Sequence, residues 1–271
     1  MKLEIITFSP TGTSSAVAQA IGRGTGIKES DTVDVTYGEA GARNLDKDTL
    51  AVVAVPVYGG HVAPLALQRL EQIKGNDTPA VAVVVYGNRH YEEALNQLAD
   101  FLGSHGFCII AAGTFIGEHS YSTQESPIAA GRPDAEDIRF AEQFGASVMQ
   151  KLSSNPDTEA IDVHAIEPPM QDAETMILFK KTVMGWMQEG IPMPSAPQVN
   201  GELCTACGTC ADSCPTHAIP ASAPSTTDAE KCIKCCACVK ACPLGARTFL
   251  TPFSALLSRN FVRQKENKTL L

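Results

Sequence analysis

Through its first 150 residues the chain alternates short, continuous apolar runs with stretches in which apolar residues return every three or four positions. Runs of the first kind read as strands buried on both faces, and stretches of the second kind as helices with one core-facing stripe. Lys2–Phe8 predicts a first strand, followed by a Ser/Thr/Gly turn and an Ala-rich helix from Ser14 to Gly22. Asp31–Tyr37 and Thr49–Val55 predict the second and third strands. A helix starts at Pro64, whose missing N–H costs nothing in a first turn. Pro79–Tyr86 predicts a fourth strand, His90–Ser104 a helix, Phe107–Ile116 a fifth strand and Asp134–Leu152 a last helix. Strands alternating with helices in this way build an α/β, doubly wound parallel sheet with both faces covered.

That rhythm stops at residue 152. Residues 153–197 are polar and proline-containing, with three prolines in Ile191–Pro197. Apolar residues still recur there, so the stretch reads as an ordered connector with a short apolar helix over Thr175–Met187. Two similar cysteine-rich segments follow, 28 residues apart, an internal duplication within 198–250. Residues 251–271 are a basic extension with a helical pattern from Phe253. The predicted organisation is therefore an α/β domain over 1–152, a connector over 153–197, a small α+β domain over 198–250 and a tail.

Charge is divided unevenly. The net charge of −9 is the sum of −12 over residues 1–197 and +3 over 198–271. An acidic body argues against nucleic acid, whose phosphates need a basic footprint, and fits either plain solubility or docking of a basic redox partner. Glu4 interrupts the apolar stretch that a signal peptide would need, and no apolar run approaches the roughly 20 residues that span a bilayer. These features lead to the expectation of a cytoplasmic protein without a membrane span; oligomeric state is not legible.

Nine of the ten cysteines fall between Cys204 and Cys242. Secreted disulfide scaffolds spread their cysteines, so this crowding favours metal ligation. Cys204, Cys207, Cys210 and Cys214-Pro215 form one C-x2-C-x2-C-x3-C-P run, and Cys232, Cys235, Cys238 and Cys242-Pro243 form the second. Three thiolates at this spacing wrap one cubane from a tight loop, while the fourth serves the other cluster. The expected ligands of one [4Fe–4S] cluster are Cys204, Cys207, Cys210 and Cys242, and those of the second are Cys232, Cys235, Cys238 and Cys214. A zinc site would call for CxxC pairs with a longer gap and four ligands per ion. Cys236, outside the repeat where the first copy has Gly208, reads as a packing residue, and Cys108 as a core cysteine.

A second constellation lies at the ends of the predicted strands. Ser9, Thr11, Gly12, Thr13 and Ser14 follow strand one without a Walker lysine or a G-x-G-x-x-G pattern. Hydroxyls and free amides at a helix N-terminus can cradle a phosphate without a cation, which suits the phosphate of FMN. Strand three ends in Pro56-Val57-Tyr58-Gly59-Gly60-His61 and strand four in Tyr86-Gly87-Asn88-Arg89-His90-Tyr91. Both place tyrosine beside glycine at the mouth, where a planar ring could stack and backbone could approach its edge. His119, and after it His61, could hydrogen-bond such a ring; Tyr121 lies in the same stretch as His119. Arg132 reads as structural, paired with Asp134 or a nearby carboxylate, and His217 as capping or facing solvent.

The loop FSPTGTS resembles the flavodoxin phosphate loop, with Ser9, Thr11 and Ser14 at the hydroxyl positions and Pro10 where glycine is usual. The stretches PVYGGHVAP, VVVYGNRHYEEAL, FIGEHSYS and PIAAGRPDAED, together with the paired cysteine runs, resemble the flavodoxin–ferredoxin fusion family of anaerobes. The resemblance implies FMN in the first domain and electron transfer as the activity, with redox proteins as partners. The predicted sheet takes the flavodoxin-like order 2-1-3-4-5. An electron carrier relaying between two [4Fe–4S] clusters and FMN is the favoured reading, and no residue is assigned a catalytic role. The alternatives are a small-molecule reductase with Tyr58, His119 and Tyr121 beside the flavin, and a flavin-free iron–sulfur scaffold.

Overall fold

The computed structural model describes residues 1–155, 159–166 and 173–271. Parts of the predicted connector, 156–158 and 167–172, lie outside the described residues. Two compact units emerge. The first comprises Met1–Glu118, Gly131–Pro168 and Lys265–Leu271, and the second His119–Ala130 and Pro169–Gln264. This division departs from the boundaries read off the chain. The loop 119–130 belongs with the cysteine-rich unit, and the last seven residues, 265–271, belong with the α/β unit.

The first unit contains β1 (Lys2–Thr7), α1 (Thr13–Thr25), β2 (Ser30–Asp34), β3 (Arg43–Leu45), β4 (Thr49–Tyr58), β5 (His61–Val62), α2 (Pro64–Leu70), β6 (Ile73–Gly75), β7 (Thr78–Tyr86), α3 (Ala94–Ser104), β8 (Phe107–Ile116) and α4 (Ala135–Ser154). The pairs β1/β2, β1/β4, β4/β7 and β7/β8 are all parallel. The five parallel strands therefore stand in the order β2-β1-β4-β7-β8, the predicted 2-1-3-4-5. Residues 50–55 of β4 and all of β7 are buried, as central strands covered on both faces must be. The sheet goes further than expected at one edge. A C-terminal strand, Lys268–Leu270, pairs antiparallel with β8, Lys268 opposite Thr114 and Leu270 opposite Ala112.

Helices α1 and α4 lie on one face and seal a core that includes Ile5, Val17, Ile21, Val52, Val83, Phe115 and Phe144. Two glycines set how closely they pack. A Cβ on Gly24 would fall 1.9 Å from the Glu142 carbonyl oxygen, and one on Gly145 would fall 2.0 Å from that of Ile21. Only residues without a side chain let these backbones meet. Helix α4 begins on a capping box, in which the Asp134 carboxylate accepts from the Asp137 amide at 3.0 Å and the Asp137 carboxylate accepts from the Asp134 amide at 2.8 Å. Helix α3 starts later than its apolar pattern, because Asn88 (φ 61°) and Glu92 (φ 45°) take left-handed conformations that a helix cannot absorb.

In the second unit α5 (Ala173–Gln188) realises the predicted connector helix. The cysteine segments carry β9 (Gln198–Val199), α6 (Thr209–Asp212), α7 (Ala237–Lys240) and β10 (Arg247–Thr248), with β9 and β10 antiparallel. The tail supplies α8 (Pro252–Asn260), capped by the Thr251 hydroxyl. A small core forms from Ile128, Phe179, Leu257 and Phe261. Ile128 draws the loop 119–130 into this unit, and the Ser258 hydroxyl donates to the Pro127 carbonyl at 2.9 Å. Among the described residues no helix is long and apolar enough to cross a membrane.

Candidate functional site

The duplication is repeated in the backbone. Ala206 and Gly208 in the first cysteine run take φ of 55° and 84°, and Lys234 and Cys236, 28 residues on, take 57° and 59°. Left-handed residues alternating with ordinary ones in this way form backbone concavities whose amides suit anionic sulfur. The Ala218 amide donates to Cys214 Sγ and the Ala246 amide to Cys242 Sγ, each at 3.2 Å. Cys236 stands where Gly208 stands, buried at the start of α7, consistent with a packing position.

Cys204, Cys207, Cys210 and Cys242 line a single cavity, so the first run's three leading cysteines face the last cysteine of the second. Cys207 is exposed, and the hydrogen bond from Thr209 holds its thiol below the ordinary range. The other set is more deeply placed. Burial pushes the Cys235 thiol up to about 12, and Cys238, Cys214 and Cys232 stand close enough to press it further. Burial likewise raises Cys238 to about 11, with Arg247 drawing it back and Cys214 and Cys232 again adjacent. Cys214 is thus gathered with Cys232, Cys235 and Cys238. Such thiols stay protonated until a metal replaces the proton, and the gain on binding is then coupled to folding.

Among the described residues no three His, Cys, Asp or Glu side chains are arranged to hold a single ion. The donor set at both cages is thiol alone, which is what cubane clusters take and what hard cations do not. The residues present fit iron–sulfur groups.

The loop 119–130 lies against this machinery and not in the first unit. The Tyr121 ring packs 5.1 Å from Phe249 and 5.0 Å from His119. Lys240 Nζ, on α7, donates to the Ser122 carbonyl at 3.2 Å. Burial pushes the Tyr121 phenol up to about 12, and the neighbouring Cys236, Cys232 and Cys235 act in the same direction. His119 belongs to the cysteine-rich unit, its Nδ1 accepting from the Tyr121 amide at 3.0 Å.

The other candidates do converge at the carboxyl ends of β1, β4 and β7. The Ser9 amide donates to Thr36 Oγ1 at 2.7 Å and the Ser9 hydroxyl accepts from the Ser15 amide at 3.0 Å, fixing the loop between β1 and α1. Gly12 (φ 84°) begins α1 with no side-chain cap. Ser14 Oγ, in the first turn, and Thr7 Oγ1, at the strand end, are both buried without a partner among the described residues. Orphaned buried hydroxyls are costly, and at an uncapped helix N-terminus they fit an anion. Gly117, just past β8, packs onto Thr13: a Cβ there would lie 3.1 Å from the Thr13 Cβ.

Pro56, Val57, Tyr58, Gly59 and Gly60 form a tight hairpin, with Tyr58 opposite His61 and φ of 63° and 93° at the glycines. Two consecutive positive φ values are what a two-residue hairpin turn demands. A Cβ on Gly60 would strike Glu92, whose carboxylate pairs with Arg89 at 2.5 Å in the facing loop. In that loop Gly87 is half-buried, and Asn88 is buried, its side-chain oxygen accepting from the Lys265 amide at 2.9 Å. Tyr86 and Tyr91 differ from expectation. Both are buried and meet edge to face at 5.6 Å, so neither presents a ring face at the mouth, and Tyr58 remains as the partly exposed one. Cys108 is partly buried against the core, Arg132 makes a bidentate pair with Asp137 besides its contact with Asp134, and His217 is exposed. Reading the chain missed Thr36, the Lys265 contact and Arg247, which lines the first cage.

Comparison with known proteins agrees with the cysteine-rich part. The Fer4 family, 4Fe-4S binding domain, matches residues 197–219 and 226–248. No curated protein matches the chain. Among solved structures, a flavodoxin from the domain Archaea is 14% identical, covering 56% of this chain and 99% of its own at a TM-score of 0.36. The Streptococcus pneumonia TIGR4 flavodoxin is 20% identical, with 56% and 99% covered and a TM-score of 0.40. Rubredoxin oxygen:oxidoreductase from the anaerobe Desulfovibrio gigas is 14% identical, with 58% of this chain and 37% of that chain covered and a TM-score of 0.42. The sheet order, not these distant likenesses, makes the first unit flavodoxin-like. The chain thus couples a flavodoxin-like α/β unit to a ferredoxin-type 4Fe–4S binding domain. That is the two-part architecture of a flavodoxin–ferredoxin fusion.

Proposed function

We propose that this protein is an electron carrier holding two [4Fe–4S] clusters in its second unit and FMN in its first. The observation that carries the reading is the cage of Cys204, Cys207, Cys210 and Cys242, because a ligand set completed by the opposite run is the arrangement of a two-cluster ferredoxin. Cys214, gathered with Cys232, Cys235 and Cys238, supplies the reciprocal set. When bound, the clusters exchange single electrons and FMN exchanges one or two. The chain's own residues bind, orient and shield. Amides of Ala218 and Ala246 donate to cysteine sulfur, and the buried Tyr121 phenol stands near Cys232, Cys235 and Cys236.

For the flavin the support is the uncapped start of α1 with the orphaned Ser14 hydroxyl, at the switch point of a doubly wound sheet. Ser9, Thr11, Gly12, Thr13 and Ser14 would hold the phosphate, and the Pro56–Gly60 hairpin with Gly87 and Asn88 would flank the ring. A single phosphate cradle supports FMN over FAD. The small-molecule reductase needs His119 and Tyr121 beside Tyr58, and no specific observation favours it.

The test is anaerobic purification with iron and sulfide analysis, a visible spectrum, and mass spectrometry of the heat-released flavin. Near eight irons per chain, the sum for two cubanes, with FMN is the expected result. FAD, or no flavin after reconstitution, would refute the flavin part, and about four irons the two-cluster part.

A further inference from the structure

The duplication contains its own control. A shift of 28 residues lays Cys204 on Cys232, Cys214 on Cys242 and Ala218 on Ala246, and the next position is Ile219 in the first copy but Arg247 in the second. The backbone is equivalent there, since Ala218 and Ala246 make the same amide-to-sulfur hydrogen bond. Both side chains are buried, each 3% exposed. One copy thus places an aliphatic group where the other places a cationic guanidinium.

A buried charge is expensive unless something of opposite sign lies near. Among the described residues Arg247 has no carboxylate partner. Its Nη atoms donate to the Thr227 hydroxyl at 2.8 Å, to the Thr226 carbonyl at 3.1 Å and to the Pro224 carbonyl, all neutral acceptors. Its Nε is buried and has no partner among the described residues. The same side chain lines the cavity of Cys204, Cys207, Cys210 and Cys242, and lies near enough to Cys232 and Cys238 to act on both. The opposite charge is therefore to be sought in the cysteine cages.

We propose that Arg247 is a potential-setting residue: a buried cation with a free N–H that stabilises the anionic iron–sulfur centres, and most of all their reduced state. The inference rests on the two-cluster reading. Adding an electron makes a cluster one charge more negative, so a fixed positive charge in a low-dielectric site favours reduction and raises the midpoint potential. Ile219 gives its own surroundings no such bias; the copies also differ in charge at positions such as Ala206/Lys234 and Asp212/Lys240, but those charges are exposed and Arg247 is the buried one.

The experiment compares wild type, R247M and R247K, purified anaerobically, by iron and sulfide content and by redox titration followed by electron paramagnetic resonance. R247M should keep its iron and show midpoints moved downward, while R247K, with the charge kept and the planar fork lost, should stay near wild type. Unmoved midpoints in an iron-loaded R247M would overturn the proposal and leave Arg247 a staple for the loop 224–227. If R247M loses iron, R247Q takes its place, and a midpoint equal to that of R247K would be equally fatal. An iron-free wild type would sink both this inference and the cluster reading, whereas iron-loaded proteins with unmoved midpoints would sink this inference alone.

Discussion

Cys242 shares a cavity with Cys204, although one opens the first cysteine run and the other closes the second. Removing Cys242 should therefore damage the centre held by Cys204, Cys207 and Cys210, and removing Cys214 the centre held by Cys232, Cys235 and Cys238. Cys236→Ser should leave iron near eight per chain, because Cys236 occupies the packing position matched by Gly208. Iron analysis with electron paramagnetic resonance of each variant checks this. Loss of a whole cluster in Cys236→Ser would show that the ligand sets are wrong.

Ser14 offers the sharpest probe of the phosphate cradle, since its hydroxyl is buried and has no partner among the described residues. A hydrogen bond to a charged group contributes roughly 1.5–3 kcal/mol, so Ser14→Ala should weaken FMN by about 10- to 100-fold. Riboflavin, which has no phosphate, should bind wild type and variant alike. Fluorescence titration measures both. Equal losses for the two flavins would place Ser14 elsewhere than at the phosphate.

Much of this was legible before the fold was known, for physical reasons that differ by element. The parallel strands declare themselves because burial on both faces forces a continuous apolar run, as in Leu50–Val55. The cysteine ligands are legible because cluster chemistry constrains local spacing. The strand Lys268–Leu270 was invisible: three residues that join the sheet through backbone hydrogen bonds leave almost no trace in side-chain pattern. The grouping of the loop 119–130 with the cysteine-rich unit is not legible in the sequence, since its anchorage depends on Ile128, Tyr121 and one lysine from far along the chain. Tyr86 closes a fully buried strand, so its ring was drawn inward where a mouth position had been expected. Arg247 could have been found by laying one repeat on the other.

Acid should open the first unit through Asp137. Its burial alone would raise the carboxyl, but hydrogen bonds from Arg132, the Asp134 amide and Asn267 outweigh this and hold it below the usual range. A carboxylate depressed in the folded state adds stability that is complete above its unfolded value and disappears as pH falls through the folded one. Wild type should thus lose stability on acidification, and Asp137→Asn should lose less over the same range while being weaker at neutral pH. Breaking the buried pair in Asp137→Ala should cost about 3–5 kcal/mol, and Asn267→Ala about 1–2 kcal/mol. Denaturant midpoints across a pH series test the sign. A pH slope unchanged in Asp137→Asn would assign the acid sensitivity to other carboxylates.

Whether the units work as one device is decided by the order of the reaction between them. The chain passes from one unit to the other four times, at the bounds 118/119, 130/131, 168/169 and 264/265. Prolines stiffen a segment, so if the connector alone set the coupling, replacing Ile191–Pro197 with a flexible Gly/Ser segment of equal length would slow electron passage. Ile191–Pro197 lies within the second unit, so that replacement leaves all four crossings covalent and the two units held at an effective concentration on the order of millimolar. Collisions between molecules at micromolar protein cannot compete with this. After anaerobic mixing with a fast reductant of the clusters, the change in flavin absorbance should follow a rate independent of protein concentration, in wild type and in the Gly/Ser variant alike. Stopped-flow traces over a dilution series provide the measurement. A rate rising in proportion to protein would mean that electrons pass only between molecules, and the carrier would be two independent proteins on one chain. A rate that stays unimolecular but falls in the Gly/Ser variant would return to the connector the role that its prolines implied.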